Sequence, residues 1–152
     1  MPADINDDAL RFFSGLSGRL RIELDIPPKR AVPHLYNLAS DPQARVVSVT
    51  LELKVLVSEP APLLRELTPA EWDEVVIRSP KVRMRGESDL VVEHVAPDGL
   101  QFTVRDLARA IEETERRGRP ESQWLGGIDV HHVYFEGIEL QEDGVWLICW
   151  GS

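Results

Sequence analysis

Between Val47 and Val57 the apolar residues Val47, Val49, Leu51, Leu53, Val55 and Val57 occupy every second position, with polar residues at most intervening places and Leu56 the exception. A period of two predicts a half-buried strand. The same alternation runs through Leu20, Ile22, Leu24 and Ile26, against Arg19, Arg21, Glu23 and Asp25, and stops at Pro27-Pro28. Two shorter strands are predicted around Lys81 to Arg85 and Leu90 to Val95, followed by a turn at Pro97-Asp98-Gly99.

Helical spacing appears in three places. Leu10, Phe13 and Leu16 recur at three-residue intervals behind an Asp/Asn-rich start, which predicts a short helix entered near Asn6 or Asp7 and ended by Gly15 and Gly18. Leu67-Thr-Pro-Ala-Glu-Trp72 carries a capping Thr68, a proline at the first helical position and Glu71 to complete a capping box, with Ser79-Pro80 as its stop. Phe102-Thr-Val-Arg-Asp-Leu107 repeats the device with Thr103 and Asp106, and Val104, Leu107, Ala108 and Ile111 then form one stripe. That is the main amphipathic helix, expected to end near Arg117-Gly118. Residues 29–45 are read as a structured connection, broken by Pro33 and Asp41-Pro42, and Gly118 to Gly127 as a loop.

Asp143-Gly144 is a two-residue turn signal between Phe135-to-Glu142 and Val145-to-Trp150, so the C-terminus is expected to be a hairpin. In that register Ile138 and Leu140 share a face with Val145, Leu147 and Cys149. Trp146, Ile148 and Trp150 then share the other with Glu139 and Gln141, and the last strand is apolar on both sides. Strands at both ends with helices between predict an α+β fold, a mostly antiparallel or mixed sheet carrying one main amphipathic helix and a C-terminal hairpin. The expected division is an N-terminal helical segment over residues 1–18 and a single α+β domain over 19–152.

Three stretches taken together carry a likeness: Asp25-Ile-Pro-Pro28 closing a strand, Phe102-Thr-Val-Arg-Asp-Leu-Ala-Arg-Ala-Ile111 opening a helix, and Phe135-Glu-Gly-Ile138 before a closing strand with Val145-Trp146. They resemble an uncharacterised domain found in many fungal proteins, over residues 19 to 151 with gaps. The resemblance implies one domain and brings no activity.

Composition narrows the partners. The 152 residues include 43% hydrophobic and 28% charged ones, which suits one globular core. A formal charge of −9 repels a phosphate backbone or an anionic membrane, so no nucleic acid and no membrane partner is expected. The stretch Val46 to Val57 is interrupted by Ser48, Thr50, Glu52 and Lys54, whereas a membrane helix needs about 20 mostly apolar residues. Cys149 is the only cysteine and the start Met1-Pro-Ala-Asp4 has no basic, then apolar, leader pattern, so a cytoplasmic location is expected.

Five groups of residues could carry chemistry. Asp129, His131, His132 and Glu136 offer metal-ligand or acid/base side chains, but on a strand adjacent histidines point apart, and a third ligand would come from His34, His94 or a distant carboxylate. Lys81, Arg83 and Arg85 alternate along one strand face as a basic stripe that could hold a carboxylate or phosphate. Cys149 reads as a small buried hydrophobe. Arg105, Arg109, Arg116, Arg117 and Arg119 read as the solvated side of the long helix, with Glu112, Glu113 and Glu115 as partners. Trp146 and Trp150, with Tyr134 and Glu139, form the remaining group: two tryptophans among polar neighbours suggest a binding surface. No phosphate loop, nucleophile elbow, Cys-x-x-Cys or His-Glu-x-x-His is present, so no cofactor is expected. The leading expectation is a non-enzymatic binding module for a protein partner or a second copy of itself. The alternative is a small metal-dependent or acid/base enzyme built on the Asp129, His131, His132 and Glu136 group.

Overall fold

A computed structural model of the protein describes residues 4–25, 44–124 and 127–152, with backbone alone at Gln123 and Trp124. The connection expected over residues 29–45 falls almost wholly outside the described residues, as do the Pro27-Pro28 stop, His34 and the side chain of Trp124.

The chain runs β1 (Asp4–Ile5), α1 (Asp7–Ser14), β2 (Ser17–Asp25), β3 (Arg45–Val57), β4 (Leu63–Arg65), α2 (Pro69–Trp72), β5 (Val75–Arg78), β6 (Lys81–Arg85), β7 (Val91–Val95) and β8 (Phe102–Thr103). It continues with α3 (Val104–Gly118), a 3-10 turn (Arg119–Glu121), β9 (Gln123–Trp124), β10 (Gly127–Ile128), β11 (Tyr134–Leu140) and β12 (Val145–Gly151). Seven strands form one sheet in the order β4-β3-β2-β11-β12-β6-β7, antiparallel except where β12 runs parallel to β6. β1, β5 and β8 make a small second sheet, and β9 pairs with β10. The fold is therefore α+β with a mixed sheet and one main helix.

Local chemistry sets the helix starts. Thr103 accepts from the Asp106 N–H while the Asp106 carboxylate accepts from the Thr103 N–H, so two orphan donors of α3 are satisfied at once. Thr68 and Glu71 do the same for α2, which lasts a single turn. β5 follows it directly, a strand that the helix reading through Ser79 had absorbed.

α3 packs on the large sheet, touching β3 towards one edge and β6 and β7 at the other. β4 pairs only with the end of β3, and the Leu51 N–H of β3 donates instead to the Glu112 carboxylate of α3 at 2.8 Å. The core holds Phe13 of α1, Leu107 and Ile111 of α3, and Leu51, Leu53, Met84, Ile148 and both hairpin tryptophans from the sheet. Because Ala9 and Phe13 belong to that same core, α1 is an integral part of the domain, and the boundary expected at residue 18 falls inside β2. Gly18 faces Phe135 across the β2–β11 pair, where an added Cβ would sit 2.7 Å from the Phe135 Cβ.

The C-terminal hairpin forms, but one residue out of the expected register. Leu140 opposes Trp146 and Glu139 opposes Leu147, so the loop has three residues, 142 to 144. The Gly144 N–H donates to the Gln141 carbonyl, and Gly144 itself has φ +82°. This is a tight turn closed by a left-handed glycine rather than the two-residue turn read from Asp143-Gly144. With a side-chain period of two, one residue of slip exchanges the faces. Trp146, Ile148 and Trp150 therefore share a side with Ile138 and Leu140, and Glu139 lies on the other. A bulge between Phe135 and Ile138, at Gly137 with φ +109°, returns Phe135 to the core side opposite Trp150.

Candidate functional site

That register corrects the surface expected of the tryptophans. Trp146 is 2% exposed and Trp150 9%, both inside the core, with Phe135 packed edge-on between Phe13 and Trp150 at ring distances of 5.3 and 5.9 Å. Tyr134 and Glu139 are exposed, and Glu139 lies on the opposite sheet face from both tryptophans, so the four do not form one surface. Cys149 is displaced too: it leaves the expected core side for the outer face, half-buried, its thiol pushed up by burial and by Glu139 and Glu136.

Residues 129–133 are not a strand, so the alternation that would have parted His131 from His132 does not operate. Asp129 folds the segment on itself. Its Oδ1 accepts the backbone N–H of His131 at 2.9 Å and of His132 at 3.1 Å, and its Oδ2 lies 2.7 Å from His132 Nδ1. An Asp hydrogen-bonding to N–H groups two and three residues on is a turn-former by nature. His131 contributes its backbone here while its ring is exposed, and Glu136 stands on β11 against Gly151, outside this turn.

The turn is fastened by a side chain that the sequence placed in solvent. Arg119, just past α3, is 0% exposed, and its guanidinium donates to the carbonyls of Asp129 at 2.9 Å and His132 at 2.6 Å. Its Nε donates to Glu115 at 2.8 Å, and its face covers the Trp150 ring. Glu115, 1% exposed, was likewise read as part of a solvated face, and both readings are corrected. The signal was present: Glu115 stands four residues after Ile111 and eight after Leu107, in phase with the apolar stripe. The outward pair on this helix is Arg116–Glu113.

A third carboxylate arrives from the β6–β7 loop. Gly86 passes so close to α3 that a Cβ would overlap the Glu115 carboxylate, and Gly118 similarly makes room for Ser88. The close approach sets Glu87 Oε2 3.8 Å from His132 Nδ1, in a cleft of about 360 Å³ lined also by Ser88, Asp89, Glu121 and Ser122. One ligand atom each from Glu87, Asp129 and His132 falls within a 4.8 Å span. Glu87 lies more than forty positions before Asp129 in the chain, and no local pattern links them.

Three carboxylates thus share one guanidinium and one imidazole. Burial, opposed by Arg119, pushes the Glu115 carboxyl above the usual range. Glu87 is raised as well, first by burial and then by the neighbouring Asp129, against Arg119 and His132. Burial works on Asp129 in the same direction, but the two backbone N–H groups, the imidazole and Arg119 outweigh it and hold this carboxyl low. An ionised Asp129 can only accept, so His132 Nδ1 donates to it and the ring's orientation is fixed. Such an oriented Asp–His pair beside a carboxyl that retains its proton readily is suited to moving protons or to holding a cation.

Of the basic stripe, Lys81 and Arg83 are exposed on β6 and Arg85 half-buried. No family model, curated protein or solved structure matches the chain, so the likeness to the fungal domain stays an expectation from sequence.

Proposed function

We propose that this protein binds a divalent metal ion through Glu87, Asp129 and His132, and that the cleft around them is the site of a small metal-dependent or acid/base activity. The observation behind this reading is the 4.8 Å span of the three ligand atoms on turns fastened by Arg119. Around an ion with bonds of about 2.0–2.2 Å, ligand atoms stand roughly 3–3.5 Å apart. His132 Nδ1 lies 2.7 Å from Asp129 and 3.8 Å from Glu87, so small side-chain shifts suffice, and the ion would displace the proton that Nδ1 otherwise gives to Asp129. One imidazole and two carboxylates suit Zn²⁺, Mn²⁺ or Fe²⁺ better than Ca²⁺. Three protein ligands would keep coordination positions open for water, the arrangement of catalytic rather than structural sites.

Metal analysis of untagged protein, followed by titration calorimetry with Zn²⁺ and Mn²⁺, tests the reading. Binding at one equivalent, lost in His132→Ala and Glu87→Gln but kept in His131→Ala, is the expected pattern. No binding by the wild type, or equal binding by all three variants, overturns it.

A protein-interaction or homo-oligomer role keeps a different support. Leu56 and Leu64 oppose each other in the β3–β4 pair and are 58% and 47% exposed, an apolar spot at the sheet's edge strand. Light scattering of the wild type and Leu64→Asp tests it, with a monomer in both counting against self-association. The charge of −9 speaks against nucleic acid, and no helix among the described residues is long and apolar enough to cross a membrane. A reducing compartment such as the cytoplasm fits the single cysteine.

A further inference from the structure

A second cleft, of about 490 Å³, opens where β6 begins beside the turn of the β11–β12 hairpin. Its cations are Arg78, Lys81 and Arg83, and its accessible apolar wall is Leu140, since Trp146, which also lines it, is buried in the core. Elsewhere on this acidic chain the surface cations commonly find carboxylates: Arg21 with Glu52, Arg45 with Asp25, Lys54 with Glu66, Arg105 with Asp73. Along β6 they do not. Among the described residues Lys81 and Arg83 have no carboxylate within ion-pair distance, although Glu93 is Arg83's direct cross-strand neighbour. Arg78 reaches Asp4 only at 3.9 Å with both side chains largely exposed, a pair of small worth. Arg83 instead donates to the Asp143 carbonyl at 2.9 Å, which ties its guanidinium to the hairpin turn and holds it over the cleft.

We propose that this cleft binds a small organic anion, its phosphate or carboxylate group held by Arg78, Lys81 and Arg83 and its apolar body laid against Leu140. Three positive groups lining one partly enclosed space create a local field that the distant acidic surface, screened over about 8–10 Å at moderate salt, does not cancel. Arginine forks match phosphate and carboxylate oxygens in pairs, and lysine adds a point charge. The apolar wall requires an organic body as well as a charge: Leu140 is exposed by 40% although its strand neighbours on that side are core, so this part of the core margin is open to a ligand. Glu93, which also lines the cleft, repels an anion from its own side and so directs the acidic group towards Arg78 and Lys81. The site is separate from the Glu87, Asp129 and His132 group, which lies beyond the other end of β6.

Titration calorimetry with phenyl phosphate, inorganic phosphate and phenol, on the full chain at roughly 0.1 M salt, tests the proposal. Phenyl phosphate should bind with at least roughly tenfold higher affinity than either of the other two. Lys81→Gln/Arg83→Gln should lose roughly tenfold or more, the value of a charge-assisted contact, with a melt lowered only slightly, because both side chains are exposed and one bond to the Asp143 carbonyl is lost. Leu140→Ser should bring phenyl phosphate down towards inorganic phosphate, and His132→Ala should change neither. No binding of phenyl phosphate, equal binding of inorganic phosphate, or full affinity in the double variant each overturns the proposal.

Discussion

The Arg119 guanidinium stands 5.3 Å above the centre of the Trp150 ring, and the indole N–H of that ring finds no acceptor among the described residues. Trp150 is thus held by its apolar surface and by the cation beside it, not by its polar atom. An unmade hydrogen bond inside a core costs about 1–3 kcal/mol. Phenylalanine removes the stranded donor and keeps most of the packing, so Trp150→Phe is expected within about 1 kcal/mol of wild type, while Trp150→Ala should cost about 3–5 kcal/mol. Urea unfolding of both variants measures this. A Phe variant as damaged as the Ala variant would mean that the indole N–H has a partner.

The Glu115–Arg119 pair should respond asymmetrically to its two halves. Arg119 uses its donors on Glu115 and on two backbone carbonyls, so Arg119→Met strands a buried carboxylate and two acceptors. The expected loss is about 3–5 kcal/mol, the usual result of removing one member of a buried pair. Glu115→Gln keeps an acceptor for Arg119 and removes one of three crowded carboxylates, one that burial already disfavours as an anion. Its cost should be clearly smaller, and equal losses in denaturant titrations would contradict the arrangement.

His94 should give the fold a pH dependence near neutrality. Its Nε2 lies 2.7 Å from Thr114 Oγ1, and that hydroxyl spends its own proton on the Ala110 carbonyl, so His94 is the donor between them. Burial lowers the imidazole from its ordinary 6.5, Arg117 adds to this and Glu113 opposes it. A lowered folded value means the unfolded chain takes up the proton first. The neutral ring's contribution is therefore complete above about 6.5 and falls as the pH drops through that value towards the folded one. His94→Gln should flatten stability between pH 7.5 and 5.5, measured by denaturant midpoints. An unchanged slope would assign it to other groups.

Glu71 acts at a lower pH. Its carboxyl is held down at about 2, first by the bidentate Arg65 and then by the Thr68 N–H of the capping box. Here the unfolded chain, near 4.5, is protonated before the folded one, so this contribution is present above about 4.5 and fades as the pH falls towards 2. Glu71→Gln should lower stability in the neutral region and flatten its fall between about pH 4.5 and 2, and Arg65→Met should do the same, read from denaturant midpoints across that range.

How far the sequence could be read depended on whether the signal was local. Capping boxes at Thr68 and Thr103 and the alternation in β2 and β3 are short-range patterns, and each forms where it was expected. β5 was lost because α2 stops after one turn, a length that tertiary packing decides. At the candidate site Asp129 and His132 were legible as residue types, but Glu87 meets them only because Gly86 and Gly118 let a loop press onto α3. The burial of Arg119 was hidden behind its charge, since a sequence shows the cost of burying a guanidinium but not the acceptors that offset it.

Asp143-Gly144 shows how little separates a right turn from a wrong face. A two-residue loop there would set Trp146 opposite Gln141, whereas the three-residue loop sets it opposite Leu140 and places both tryptophans in the core. Gly144 makes the longer loop available at φ +82°, where other residues are strained by about 1–2 kcal/mol and asparagine by less. Gly144→Ala should therefore lower the melting temperature more than Gly144→Asn. Deleting Glu142 is the sharper test, because it leaves only Asp143 and Gly144 between the strands while Gln141 still opposes Val145 and Leu140 still opposes Trp146. Both tryptophans then keep the side of Ile138 and Leu140, away from Glu139, so the deletion should still unfold in one cooperative transition. A variant lacking Glu142 that lost its cooperative transition would show that the three-residue loop itself, and not the pairing of Leu140 with Trp146, decides which face is buried.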